Sequence, residues 1–429
     1  WETVGEIGVR PLGTPRATVF ADAALREGLG LADAPWSAGA AVEVGPGFRL
    51  VGRYLDGGPA REAGFTAGVR LDFSRAGGGV HVGLDEDADA TGATYFLRAG
   101  GFTPDALGSA GGTDERRVEI ELDGRVDYRN PPLAGLFGER SPRLYEVLEL
   151  VDSASEDERV GLIAIRLAGA EILPEHAWEI REALVRARAS GTTVVVFLED
   201  VGMTGYHLAS VADHVVVDPM GTLLLPGYLS NTTYLADALE KLGLGFEAWR
   251  YFEYKSAVEP LSRREMSEAD RRQRQAYVDD IYTQVRSEVT ASRSLEVEAF
   301  DRAVDEQTIF RAEEAIEAGL ADTLGRWHER DDLIESLTDA DRSTLAGDRL
   351  LADRRVHRQW GRPGRVALVY GLGATMRSSG MNARSLAETI RELGENEKVD
   401  AIVFRVDSPG GDPLAADLVA EALRTASEE

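Results

Sequence analysis

The sequence contains no cysteine, which excludes disulfides and thiolate–metal sites and leaves the redox state of its compartment unmarked. Lysine is nearly absent as well. Lys241, Lys255 and Lys398 are the only three, and the other members of the 47 Lys and Arg side chains are arginine, so each lysine invites inspection. No run approaches the roughly 18 consecutive apolar residues that a spanning helix needs. The six histidines show no HExxH or other paired ligand spacing, so no metal is expected. A Walker-type phosphate loop is missing, and Gly371-Leu-Gly-Ala lacks the rest of a dinucleotide fingerprint, so no cofactor is expected. The chain opens on Trp1 rather than methionine, with no leader. The expectation is a missing N-terminal segment, through which membrane association would run.

What is present is acid and length. Acidic side chains number 74 and the net charge is −27, a field that repels polyanions, so no nucleic acid partner is expected. The 429 residues suffice for two or three domains with cores of their own.

Residues 1–140 read as a β-rich N-terminal domain that carries no chemical motif. Phe48–Leu55, Val69–Arg75, Gly79–Leu84, Ala93–Arg98 and Arg117–Leu122 are the strands, separated by Gly, Asp and Pro turns. The alternation in Val69-Arg-Leu-Asp-Phe suits a sheet with one wet face. After Pro131-Pro132 the pattern changes. Gly161–Leu167 is a buried-type strand, Pro174 opens an amphipathic helix ending near Ser190-Gly191, and Thr193–Leu198 is a second apolar strand. Such alternation predicts an α/β fold with a largely parallel sheet over 141–345. Ser267, with Asp270 three residues on, predicts the start of a packing helix through Val278, Ile281, Tyr282, Val285 and Val289. A second α/β segment, 346–429, has strands at Val366–Tyr370 and Val399–Val406 and a helix over Ser385–Leu393.

The two α/β segments read as repeats. Shifted by 239 positions, Ile163–Leu167 falls on Ile402–Val406, Pro174 on Pro413 and Glu182-Ala-Leu on Glu421-Ala-Leu, without a gap. Arg166 matching Arg405 in mid-strand is a polar coincidence that generic apolar patterning would not produce. The second copy stops after its helix, so the chain is expected to be a truncated product whose parallel sheet lacks strands.

Three stretches carry chemistry. Tyr254-Lys-Ser-Ala-Val-Glu-Pro260 holds one of the rare lysines amid Trp249, Tyr251, Phe252, Tyr254, Ala257 and Val258. A lysine acts as a general base only when neutral, and burial favours the neutral amine. Glu253 and Glu259 would oppose that if they pointed inward. Asp407-Ser-Pro-Gly-Gly411 ends a strand, and glycines there let backbone N–H groups turn toward a developing oxyanion. A tight strand-to-helix turn would use the same residues. The third stretch is Gly205-Tyr-His-Leu-Ala-Ser210 with Ala212-Asp213. Lys241, in a helix C-terminus, and Lys398, in a charged loop, have structural or solvated readings.

Together these stretches resemble the long-form signal peptide peptidases, the protease IV family of Ser–Lys endopeptidases, over about residues 145–429. The resemblance implies two tandem crotonase/Clp-protease-like repeats, the second incomplete. It implies Lys255 as general base and Gly410 and Gly411 as oxyanion supports. It places Met203 where the first repeat would carry a nucleophile and Ala168-Gly-Ala-Glu-Ile172 where DSPGG stands in the second. The serine is then expected at roughly position 442 by the repeat relation, neither Ser408 nor Ser210 substitutes for it, and the fragment alone is expected to be inactive. Also implied are peptide substrates such as cleaved signal peptides, a homo-oligomer, and the periplasmic face of the bacterial inner membrane. Two other readings stay open: a crotonase-type acyl-CoA enzyme, and a non-catalytic envelope scaffold.

Overall fold

The computed structural model describes residues 2–12, 16–26, 33–45, 47–56, 63–85, 87–103, 115–128, 143–354 and 364–428. Pro131-Pro132 and the expected boundary near 140 lie outside them. The chain divides into two compact units, one made of Trp1–Leu71, Gly78–Leu97 and His357–Glu429, the other of Asp72–Gly77 and Arg98–Val356.

The N-terminal region is β-rich. Strands β1 (Glu2–Val9), β2 (Ala17–Arg26), β3 (Trp36–Gly45), β4 (Phe48–Asp56), β5 (Gly64–Leu84) and β6 (Ala90–Thr103) form one sheet in sequence order. The pairs from β1 to β5 are antiparallel. The runs Val69–Arg75 and Gly79–Leu84 are parts of the single strand β5. The alternation around Leu71 does not put its apolar side chain inside: Leu71 is exposed, whereas Asp72 is buried and ion-paired with Arg98 at 3.5 Å.

From there the chain runs through β7 (Arg116–Arg125), α1 (Leu144–Glu156), β8 (Val160–Glu171), α2 (Pro174–Ala189), β9 (Thr193–Gly202), α3 (Met203–Ala209) and β10 (His214–Leu224). It continues with α4 (Ala236–Lys241), α5 (Glu259–Ser262), α6 (Glu268–Arg293), α7 (Val297–Arg302), β11 (Ile309–Arg311), α8 (Ala312–Glu317), β12 (Thr323–Leu324), α9 (Arg330–Thr338) and α10 (Gly347–Arg354). The sheet order is β11-β10-β9-β8-β7, with β12 beside β10. Strands β7 to β10 are parallel and β11 is antiparallel. The run Arg117–Leu122, grouped on sequence with the β-rich region, is therefore the edge of the α/β sheet. Val118, Ile120 and Leu122, alternate residues on one face of β7, are all buried there, and it is the parallel pairing with β8 that assigns the strand to this sheet.

Burial explains why this sheet was easy to read. Ile163, Ile165, Val194 and Val196 are fully buried on one face, while Leu162, Ala164, Val195, Phe197 and Val216 pack with Ile334 of α9 on the other. Strands covered on both sides become continuous apolar runs. Helix α2 starts on Pro174, where a missing N–H leaves nothing unpaired. Ser267 caps α6, its Oγ accepting the Asp270 N–H at 3.1 Å.

The C-terminal segment contains β13 (Val366–Leu372), α11 (Ala383–Gly394), β14 (Ala401–Asp407) and α12 (Pro413–Glu428). The two strands are parallel. Leu386, Ala387, Ile390, Ala415 and Val419 of the helices pack with Val369, Ile402 and Phe404 of the strands. Leu368 and Val403 are exposed. Helix α12 has the same length as α2, 16 residues, and begins on the matching proline. The start of α11 at Ala383 is likewise 239 positions after the start of α1 at Leu144.

Candidate active site

Lys255 sits between α4 and α5, in a stretch outside any strand or helix. Its backbone N–H donates to the Phe252 carbonyl at 3.2 Å, and its side chain is exposed. The aromatic neighbours do not wrap it. Trp249 and Tyr251 are 87% and 89% exposed, and Phe252 and Tyr254 are exposed as well. The dry surroundings expected from sequence are thus not supplied by this segment, because its aromatic side chains point to solvent rather than over the amine.

What the motif does supply is anchorage. Ser256 and Glu259 are buried, with Glu259 1% exposed. The Ser256 hydroxyl donates to Asp270 Oδ1 at 2.7 Å, and the Gln273 amide donates to both Ser256 Oγ, at 2.6 Å, and Asp270 Oδ1, at 2.9 Å. Arg274 Nε donates to Asp270 Oδ2 at 2.8 Å. Burial pushes the Asp270 carboxyl up, but Ser256, Gln273 and Arg274 together outweigh it and hold the group below its usual value. Glu259 is treated alike: burial raises it, while Ser267, whose N–H reaches Oε2 at 3.1 Å, and Arg250 bring it down. Its charge is therefore spent on these partners. Glu253 is exposed and pairs with Arg272 at 3.4 Å. Both carboxylates are paired with arginines, Glu259 with Arg250 and Glu253 with Arg272, rather than with the lysine amine.

A test of this anchorage is Asp270→Asn. The substitution keeps the shape but removes the charge that pairs Arg274 and turns one acceptor into a donor facing donors. The unit should lose about 2–4 kcal/mol at neutral pH. Because the folded carboxyl lies below its unfolded value of about 3.9, its contribution is complete above that pH and disappears as pH falls through the folded value. Urea midpoints of the two proteins should differ most at pH 7 and converge below about pH 4. Equal midpoints at pH 7 would remove Asp270 from the anchor.

The DSPGG loop follows β14. Gly410 has φ +96°, in the region side chains avoid. Gly411 is bridged in parallel to Thr375, and a Cβ at Gly411 would run into the Thr375 carbonyl. At the matching place in the first α/β segment the strand simply continues, Glu171 being paired with Arg125, so no loop forms there. Met203 opens α3 and is buried. Tyr206 is fully buried, its hydroxyl donating to the Leu320 carbonyl at 2.9 Å, and Ser210 is buried and donates to the His207 carbonyl at 2.8 Å. Both hydroxyls serve packing. Lys241 closes α4, and the Lys398 N–H donates to Asn396 Oδ1 at 3.0 Å.

Lys255 lies in one compact unit and Gly410 and Gly411 in the other. Among the described residues no group of three His, Asp or Glu side chains is arranged to hold a metal ion, and no helix is long and apolar enough to cross a membrane. Sequence reasoning missed Ser256, Glu259, Asp270 and Thr375. Ser256 and Glu259 stand inside the very motif that drew notice to Lys255, and the Ser267 cap pointed to Asp270.

Residues 186–341 match the model of peptidase family S49, a range that includes Lys255. The chain is 27% identical over 320 residues to Protease 4 of Salmonella typhi, covering 68% of this chain and 50% of that one. It is 27% identical over 271 residues to the chloroplastic serine protease SPPA of Arabidopsis thaliana, covering 58% and 39%. Protease 4 of Haemophilus influenzae is 25% identical over 341 residues, covering 72% and 54%. The chain spans about half the length of the curated relatives it matches. A solved chain, a mutant of the 1510-N membrane-bound stomatin-specific protease, aligns at 9% identity and a TM-score of 0.32, over 54% of this chain and 97% of that one. That score is too low to carry an argument.

Proposed function

We propose that this chain, a protease IV-type member of peptidase family S49, contributes the general base and the oxyanion loop of a serine endopeptidase acting on signal peptides and other membrane-associated peptides. Lys255 is the base, and no serine of the chain is given the nucleophile's role. Once substrate and the serine's surroundings shut water away from it, the amine is held neutral and takes the proton of a serine hydroxyl as its oxygen attacks the scissile carbonyl. Backbone N–H groups of the Gly410-Gly411 loop receive the oxyanion of the tetrahedral intermediate. The ammonium then returns the proton to the leaving amine, leaving an acyl-enzyme that water hydrolyses with the same lysine as base.

The observation that carries this reading is the placement of Lys255. Its backbone is one residue from a buried polar anchor, while its side chain stays free for a partner. The two α/β segments are read as tandem copies, supported by the equal spacing of α1 with α11 and of α2 with α12. The division of labour follows, with the lysine in one copy and the DSPGG loop in the other. A homo-oligomer at the periplasmic face of the bacterial inner membrane goes with it.

The test is turnover of a quenched fluorescent peptide with an apolar segment by the complete gene product. Cleavage within that segment is expected. A folded, assembled protein that cleaves nothing would instead favour a scaffold.

A further inference from the structure

We propose that Thr375 is a positioning residue for the oxyanion site, and that Gly411 rather than Gly410 provides its backbone donor. The inference rests on the reading above and assigns roles within the same loop.

Thr375 is 7% exposed and grips the DSPGG loop at three points. Its N–H donates to the Gly410 carbonyl at 2.9 Å, and its carbonyl accepts the Asp412 N–H at 2.8 Å. Its hydroxyl lies 2.8 Å from that of Ser408. The first two bonds are the pattern of a parallel bridge centred on Gly411. In such a bridge the central residue turns its own N–H and carbonyl away from the partner strand. The Gly411 N–H is therefore aimed outward by bonds that its two neighbours make.

Gly410 is differently placed. Its N–H donates to Ser408 Oγ at 3.2 Å, so it is engaged within the loop. The Thr375 hydroxyl fixes the oxygen that occupies it. One buried side chain thus decides which of two adjacent N–H groups is left for a developing charge. The far side is fastened as well: Arg377, two residues after Thr375, pairs with Asp412 at 2.8 Å, and Asp412 Oδ1 accepts the Leu414 N–H at 3.0 Å at the start of α12. The loop is held between β13, β14 and α12 before any substrate arrives, which is the preorganisation that makes an oxyanion donor effective.

The test compares Thr375→Val, Thr375→Ser and Ser408→Ala in the complete gene product, with Lys255→Ala alongside. Thr375→Val keeps the volume and the two backbone bonds but loses the hold on Ser408. It should lower kcat about tenfold or more, since small misplacements at a reacting centre cost that much, and leave KM within about twofold. The affinity of a peptide aldehyde, whose adduct carries the oxyanion, should fall by the same factor, while that of the matching non-reactive amide is unchanged. Ser408→Ala should behave like Thr375→Val, and Thr375→Ser should restore most of the rate. A rate for Thr375→Val equal to wild type, or a loss that follows KM and Tm instead of kcat and aldehyde affinity, overturns the proposal. If Lys255→Ala is inactive while Thr375→Val is fully active, only this inference fails. Full activity in Lys255→Ala would bring down the function it rests on.

Discussion

Lys255→Ala should lower kcat of the complete gene product by at least about a thousandfold while leaving its fold intact. Both halves of that expectation come from the surroundings of the residue. The side chain is exposed, and the turn is held by Ser256, Asp270, Gln273 and Glu259 rather than by the amine, so truncation removes no packing. A surface change of this kind normally shifts stability by less than about 0.5 kcal/mol. The chemistry is another matter. A serine whose base is removed loses the proton acceptor that makes it nucleophilic, and members of such a unit cost far more than an isolated contact when deleted. Lys241→Ala and Lys398→Ala serve as controls, since these are the only other lysines and neither lies in the motif. Loss of rate with unchanged Tm in the first variant, and neither effect in the other two, is the expected pattern. Comparable rates for all three proteins would remove Lys255 from the reaction.

The second large effect is expected at Gly411. Alanine there puts a Cβ into the Thr375 carbonyl, which is backbone and held by the Asp412 N–H. The bridge must open or the loop must move, and the N–H it aims is lost. Removal of one oxyanion donor costs about a hundredfold to a thousandfold in kcat. Gly410→Ala meets open space and only the strain of its positive φ, about 1–2 kcal/mol. Two adjacent glycines thus have separate reasons to be glycine, one conformational and one steric. The rates should fall in the order wild type, Gly410→Ala, Gly411→Ala. The reverse order for the two variants would show that the outward donor had been misassigned.

Much of the α/β architecture was legible because its signals are local. Gly161–Leu167 and Thr193–Leu198 are apolar except for Arg166 and Thr193, close to the continuous apolar runs of strands covered on both faces, and Pro174 and Pro413 mark helix starts by chemistry alone. The first three strands were not legible: Ala17–Arg26 and Trp36–Gly45 are rich in alanine and alternate weakly. Arg117–Leu122 was legible as a strand but not as to its sheet, since pairing with β8 is a long-range fact. The site divides the same way. Lys255 and the DSPGG loop stand out by residue type and spacing. The burial of Ser256, Glu259 and Asp270, the outward turn of Trp249, Tyr251 and Phe252, and the Thr375 bridge exist only once distant segments have met.

If Lys255 activates a serine for acyl transfer, as proposed, the reactivity of that serine depends on the lysine. The most direct measurement is the rate at which a fluorophosphonate labels the complete gene product, with the modified residue located by mass spectrometry, in wild type and in Lys255→Ala. One serine should be labelled in the wild type, and labelling should slow at least about a hundredfold in the variant. The same serine labelled equally fast in both proteins, or no serine labelled in an active wild type, would contradict it.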